Sequence, residues 1–218
     1  MIFHDRTEAG KQLAAALPEL NPENSVVIAL PRGGVPVAAE ICASHGIPLD
    51  LVFVRKIGAP GQPELAVGAV TDGNAPRVTP NEDVASHFGL LRNDLQRLAE
   101  SLLPEIERRK ALYLHDRKAI PLAGKTLVVV DDGAATGTTL LASLAALRAQ
   151  KPARIIVALP VAPRDLTARL GEFAETTICL SDHTHGAVGA AYQVFEQVDD
   201  ETVTALMNRF APTKSKAP

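Results

Sequence analysis

The sequence predicts an α/β fold: a doubly wound, mainly parallel sheet flanked by helices, with a small hood-like subregion toward the C-terminus. Three observations predict it. Short β-rich runs are mostly apolar throughout rather than alternating, the mark of strands buried on both faces of a parallel sheet. Helical patterns separate these runs. The two most distinctive motifs, "LPRGG" and "VVVDDGAATGTT", each sit where such a run gives way to a helix, at the carboxyl edge where open α/β sheets bind ligands.

In chain order, "SVVIALP" (Ser25–Pro31) reads as a strand and Val35–Ser44 as the helix after it. "LDLVFV" (Leu49–Val54) and "LAVGAV" (Leu65–Val70) read as further strands. Leu91, Leu95, Leu98, Leu102 and Ile106 make a long helical stripe, with Pro104 as its kink or break. "TLVVVDD" (Thr126–Asp132) is a strand, and Leu140, Leu141, Leu144 and Leu147 stripe the helix that follows. "RIIVALP" (Arg154–Pro160) and "TTICL" (Thr176–Leu180) close the set. Ser181–Gln197 fits no simple period and stands as the hood, while Ala211–Pro218 is expected to be disordered. With no repeats and no clear linker, residues 1–210 are expected to form one domain.

Composition narrows the function. A chain of 218 residues, 46% hydrophobic, is long enough for one sizeable α/β core. Lys and Arg number 22 against 25 Asp and Glu, a net charge of -3 that gives nucleic acid no general attraction. "MIFHDRTEAGKQL" is polar and charged, unlike a signal peptide. No apolar run approaches the roughly 18 residues of a membrane span. Cys42 and Cys179 lie in apolar stretches and read as core thiols of a reducing cytosol.

The stretch Val128–Leu140 carries the chemistry. An apolar strand runs into Asp131 and Asp132, then into a loop nearly without side chains, Gly133, Ala134, Ala135, Thr136, Gly137, Thr138 and Thr139, which opens a helix. Bare backbone N–H groups at a helix N-terminus, helped by threonine hydroxyls, cradle an anion. Two carboxylates repel a phosphate but accept hydrogen bonds from hydroxyls. One small molecule suits both ends: a sugar phosphate with vicinal hydroxyls. By itself "DDG" is equally a strand-to-helix turn with an Asp cap. "IALPRGGVPVAAEI" (Ile28–Ile41) repeats the strand–turn–helix form, with Arg32, Gly33 and Gly34 in the turn, although alone it is also a plain Gly-Gly turn. Arg55 and Lys56 end a strand and face a Gly/Pro-rich loop, where they either neutralise a diphosphate or stand in solvent. A P-loop and a Rossmann fingerprint are both absent.

"VVVDDGAATGTT" resembles the phosphoribosyl diphosphate (PRPP) motif of type I phosphoribosyltransferases. The chain as a whole is similar to an uncharacterised branch of small bacterial phosphoribosyltransferase-like proteins, through "FHDRTEAGKQLAAAL", "VRKIGAPGQPELAVGAV", "VALPVAP" and "AVGAAYQVFEQVDDETV". The resemblance implies that Asp131 and Asp132 hold the ribose 2- and 3-hydroxyls and that Ala134 to Thr139 wrap the 5-phosphate. It implies a non-proline cis peptide beside Arg32-Gly33, with Arg32 near the leaving diphosphate. The implied ligand is PRPP or a ribose 5-phosphate, with Mg²⁺ carried by PRPP, and the implied reaction is transfer of phosphoribosyl to a nitrogenous acceptor with release of diphosphate. Asp131, Asp132, Arg32 and Lys56 would be the catalytic residues.

Acceptor recognition is expected from Ser181–Phe195, where His183, His185 and Tyr192 stand. Purine-salvage relatives carry an Asp in the phosphate loop where this chain has Ala135, and the branch suggests Trp where Ala191 stands. "YLHDRKAIP" (Tyr113–Pro121) departs from an arginine-rich turn of that branch. A cytoplasmic location and a homodimer are further expectations. The competing reading is a protein that senses PRPP or a nucleotide and regulates a partner without catalysis.

Overall fold

The computed structural model describes residues 1–71, 76–115, 117, 120–182 and 187–212. Helix α1 (Arg6–Ala16) begins at Asp5, whose carboxylate accepts from the Glu8 N–H at 2.8 Å. Strand β1 (Ser25–Ala29) leads to α2 (Gly34–His45), which ends at Gly46 in the left-handed conformation. Then come β2 (Leu49–Leu51), β3 (Val54–Ala59), β4 (Gln62–Thr71), β5 (Arg77–Pro80), α3 (Glu82–His87), α4 (Arg92–Glu100) and α5 (Leu103–Leu114). The chain continues through β6 (Thr126–Val130), α6 (Thr138–Arg148), β7 (Arg154–Ala162), α7 (Arg164–Leu170) and β8 (Thr176–Asp182). A 3-10 turn (Val188–Ala191) and α8 (Asp200–Arg209) follow.

Five strands form a parallel sheet in the order β2-β1-β6-β7-β8. Its central strands are buried on both faces because both faces carry helices. Val27, Ala29, Val128, Val130, Ile156 and Ala158 join one apolar cluster, with Val35, Val37, Ala38 and Ile41 of α2. The alternate residues Val26, Ile28, Leu127, Val129, Ile155 and Val157 join another, with Leu140, Leu144 and Leu147 of α6. This is the doubly wound arrangement that the continuous apolar runs predict.

Four expectations are corrected. "LAVGAV" lies in β4, within a separate antiparallel sheet of order β3-β4-β5. "LDLVFV" splits between β2 and the start of β3. The long leucine stripe spans two helices broken at Ser101–Leu102, with Pro104 in the first turn of α5 and Leu91 exposed ahead of α4. Proline fits there because a first-turn N–H has no partner inside the helix. Cys42 is buried as expected, but Cys179 is only partly buried, on edge strand β8. Residues 213–218 of the expected disordered tail, His183 and His185, and positions 116, 118 and 119 of the altered turn lie outside the described residues.

Candidate functional site

Strand register builds the site. β1 and β6 are neighbours in step, with Ser25 opposite Thr126 and Ala29 opposite Val130. Both strands therefore end at one level, and the turns Leu30–Gly33 and Asp131–Gly137 leave the sheet side by side. The Leu30 N–H donates to the Val130 carbonyl at 2.9 Å, extending the pairing by one step. The peptide bond between Pro31 and Arg32 is cis, as expected beside the Arg-Gly pair. A side chain on Gly33 would place its Cβ 2.0 Å from Asp132 Oδ2, so the absence of one lets the turn lie against that carboxylate.

Asp131 and Asp132 follow the last residue of β6 rather than ending the strand itself. Asp131 Oδ1 accepts from the Asp132 N–H at 2.9 Å. Burial pushes both carboxyls above the usual carboxylate range. The shift is greater at Asp131, where the charge of Asp132 adds to burial. At Asp132 the guanidinium of Arg6 opposes it. Asp131 is thus the member of the pair whose proton is held the more firmly. Arg6 Nε and Nη2 both lie 2.8 Å from Asp132 Oδ2. The Tyr192 hydroxyl donates to the Asp132 carbonyl at 2.6 Å, which puts Tyr192 beneath the dyad.

The next loop is pinned to β7, since the Ala134 N–H donates to the Val161 carbonyl at 3.0 Å. Gly137 has φ +72, and a Cβ there would meet Leu166 Cδ1 at 2.3 Å. Only glycine suits that corner. No side chain caps α6, so its first N–H groups point into the loop, beside Thr136 and Thr138, whose hydroxyls lie 3.3 Å apart. Ala135, Thr136 and Thr139 are exposed. Small side chains, uncapped N–H groups and hydroxyls form an anion cradle.

A cavity of about 720 Å³ opens beside this loop, lined in part by Lys56, Thr79, Glu82, Thr136, Thr138 and Arg169. Another of about 790 Å³ lies between β5 and α4, lined by Arg77, Arg92 and Gln96 among others, and touches neither of the two strand-end turns. The first has the chemistry for a polar ligand. Lys56 faces it; its neighbour Arg55, one step along β3, meets Glu105 of α5 at 3.1 Å. Successive residues of a strand point to opposite faces, so the two cations of this segment are not brought together. Arg32 is turned toward Asp200 of α8, at 3.5 Å, and Asp200 also accepts from the buried Tyr113 hydroxyl. Arg32 thereby sits at the rim of an arginine-rich region where Arg55, Arg108 and Arg109 all pair with Glu105.

Several of these partners have no local sign in the sequence. Arg6, Glu105 and Asp200 reach their partners through contacts distant in sequence; the "HDR" opening is only a helix start until the fold brings it to Asp132. Among the described residues no group of three or more His, Cys, Asp or Glu could hold a metal ion. None of the described helices is long and apolar enough to cross a membrane.

Comparison with known proteins gives a uniform result. The family model described as phosphoribosyl transferase domain matches residues 4–194. Proteins of two Mycobacterium tuberculosis strains, CDC 1551 / Oshkosh and H37Rv, each named "Putative phosphoribosyl transferase", are 40% identical over 209 residues. Those matches take in 95% of this chain and 47% of each relative, so the chain spans about half their length. The crystal structure of TT1426 from Thermus thermophilus is 40% identical, with a TM-score of 0.83 over 97% of this chain and 100% of that one. The AQ2163 protein from Aquifex aeolicus, at 12% identity and a TM-score of 0.52 over 84% of this chain and 75% of that one, shares the fold.

Proposed function

The chain belongs to the phosphoribosyl transferase domain family, and from that premise we propose that it transfers phosphoribosyl from PRPP to a nitrogenous acceptor, releasing diphosphate. The observation that carries this reading is the meeting of two strand-end turns, one bearing the Asp131–Asp132 dyad and the anion cradle, the other bearing Arg32 and Gly33. The pattern suits PRPP at three points. Ala134 to Thr139 would take the 5-phosphate on backbone N–H groups and hydroxyls. Asp132, the carboxyl paired with Arg6, would accept hydrogen bonds from the ribose hydroxyls. The turn at Arg32-Gly33 would face the diphosphate, with Lys56 approaching from the cavity wall.

Breaking the C1–O bond leaves positive charge on the ribose and negative charge on the diphosphate. The dyad stands near the first and Arg32 and Lys56 near the second, so preformed charges stabilise both as they develop. The described residues supply no cage for a resident metal. Mg²⁺ would arrive on the oxygens of PRPP and offset leaving-group charge. No covalent nucleophile is needed. Cys42 is buried, and burial raises its thiol to about 12, which disfavours the thiolate.

The acceptor would lie on the Tyr192–Phe195 side, where these rings stack with centroids 5.0 Å apart. Ala135 offers the acceptor neither a proton acceptor nor a hydrogen bond. If a general-base contact is missing there, purine transfer is slower by roughly 10²–10⁴. The test is incubation with Mg²⁺, PRPP and a panel of purines and pyrimidines near neutral pH, reading diphosphate. Diphosphate released with a base other than a purine supports the proposal. Efficient purine transfer, with kcat/KM near 10⁵ M⁻¹s⁻¹ or above, overturns the role given to Ala135. Tight PRPP binding without turnover on any base favours the sensing role instead.

A further inference from the structure

We propose that Arg6 is a positioning residue for the phosphoribosyl site: its guanidinium holds the Asp132 carboxylate in place and ties the hood to the ribose-binding turn. This rests on the PRPP reading of the Asp131–Thr139 segment and adds a residue outside that motif.

The guanidinium is fixed on three sides. Nε and Nη2 donate to Asp132 Oδ2, each at 2.8 Å. Nη1 donates to the Glu196 carbonyl at 2.8 Å. The Phe195 ring lies under the cation, its centroid 3.9 Å from Cζ. The Arg6 side chain keeps only 12% of its exposure and Asp132 only 14%. A charge pair this far from water is little screened and is held by geometry rather than by chance encounter.

Neighbouring backbone contacts make the arrangement a clasp. The Phe3 N–H donates to the Ala191 carbonyl, and the Gln193 and Val194 N–H groups donate to the Phe3 and His4 carbonyls, all at 2.8 Å. One short N-terminal segment therefore fixes residues 191–194, and Arg6, two residues beyond His4, reaches the dyad. Among the described residues, the charged and titratable groups facing Asp132 are Arg6 from α1, Asp131 from the end of β6 and the Tyr192 phenol after the 3-10 turn. Arg32, on the adjacent turn, is engaged with Asp200. Arg6 is thus the cation that opposes the burial of Asp132. Arg6 binds Oδ2 through two N–H groups, and the turn at Gly33 packs against the same carboxylate, so the guanidinium and that turn together set where the carboxylate stands.

Carbon-13 NMR of the Asp131 and Asp132 carboxyls in the unliganded protein, with calorimetry of Mg²⁺-PRPP binding across pH, tests this for wild type, Arg6→Ala and Arg6→Lys. In Arg6→Ala the Asp132 titration should move up by about 1–3 pH units, the effect of removing an adjacent opposite charge. The pH below which PRPP binding fails should rise with it. Arg6→Lys should recover most of the titration midpoint. A merely structural role for Arg6 would lower stability and leave that midpoint alone. If Arg6→Ala does not fold, Arg6→Gln takes its place with the same expectations. An Asp132 titration unchanged in the neutral variant overturns the proposal. A shifted titration in a protein that never binds PRPP supports the role of Arg6 while ending the PRPP reading, so the two fail separately.

Discussion

A methyl group at Gly33 would stand 2.0 Å from Asp132 Oδ2. Yet the backbone there is ordinary right-handed helical, φ -59 and ψ -37, so alanine suits the backbone and the clash falls on the Asp132 side chain. Gly33→Ala should therefore keep the fold, by circular dichroism, and weaken PRPP binding about tenfold or more, equivalent to about 1.4 kcal/mol. Unchanged affinity would mean that the position of the carboxylate does not matter to the ligand. Asp131 gives a second prediction. Its carboxyl is raised well above 3.8, first by burial and then by the charge of Asp132. A raised acid stabilises the fold below its unfolded pKa and loses that contribution as pH rises through the folded value. Asp131→Asn should accordingly gain in melting temperature relative to wild type as pH rises above about 4, while binding PRPP less well. A variant that falls behind as pH rises would contradict the assignment of the proton to Asp131. Asp131 and Asp132 are legible in the sequence because strand, acids and loop are contiguous. Arg6 is not, since its contact with Asp132 spans 126 positions and nothing in "HDRTE" distinguishes it from a residue of a capped helix start.

Helix α6 depends on how it begins. Gly137 combines φ +72 with a close approach to Leu166 of α7, so Gly137→Ala should cost about 1–3 kcal/mol in denaturant unfolding and loosen the Ala134–Thr139 loop. Helix α5 makes a different contact with the antiparallel sheet. Glu105 accepts from Arg108 and Arg109 on its own helix and from Arg55 of β3. Those bonds, Arg108 first and Arg109 next, draw its carboxyl down to about 2. A lowered acid stabilises the fold above its unfolded pKa, here 4.5, and loses that as pH falls toward the folded value. Glu105→Gln should melt below wild type at neutral pH, and the gap should narrow as pH falls from about 5 toward about 2. A constant gap would assign the loss to packing. At this scale the parallel strands were readable because burial on both faces leaves an unbroken apolar run. The β3–β5 sheet was not. Its edge strand "RVTP" has no apolar run, and "LAVGAV" is as apolar as a parallel strand although its partners are antiparallel. The break between α4 and α5, expected at Pro104, falls just before it, at Ser101–Leu102, because Pro104 is taken into the first turn of α5.

In the whole molecule the layers and the site share one origin. Residues of β1, β6 and β7 alternate between the two apolar clusters, and the same strands carry their turns to one edge. The doubly wound class followed from this alternation, whereas the clasp did not, because it joins segments near opposite ends of the described chain. That pairing of Phe3 with Tyr192 bears on the order in which the protein assembles. Closing so long a loop carries a large entropic cost before any contact rewards it. Once the central strands have paired, the same closure is short-range. The clasp should therefore form late and reopen early, in an excursion that leaves the sheet intact. Amide hydrogen exchange would reveal it. The Gln193 and Val194 amides, bonded to Phe3 and His4, should exchange through a smaller opening than Val129 or Ile156 in the sheet, and Phe3→Ala should speed the first pair without changing the second. The Asp132 carboxylate would then be among the last parts of the molecule to acquire its final surroundings, and Arg6 the residue that completes them.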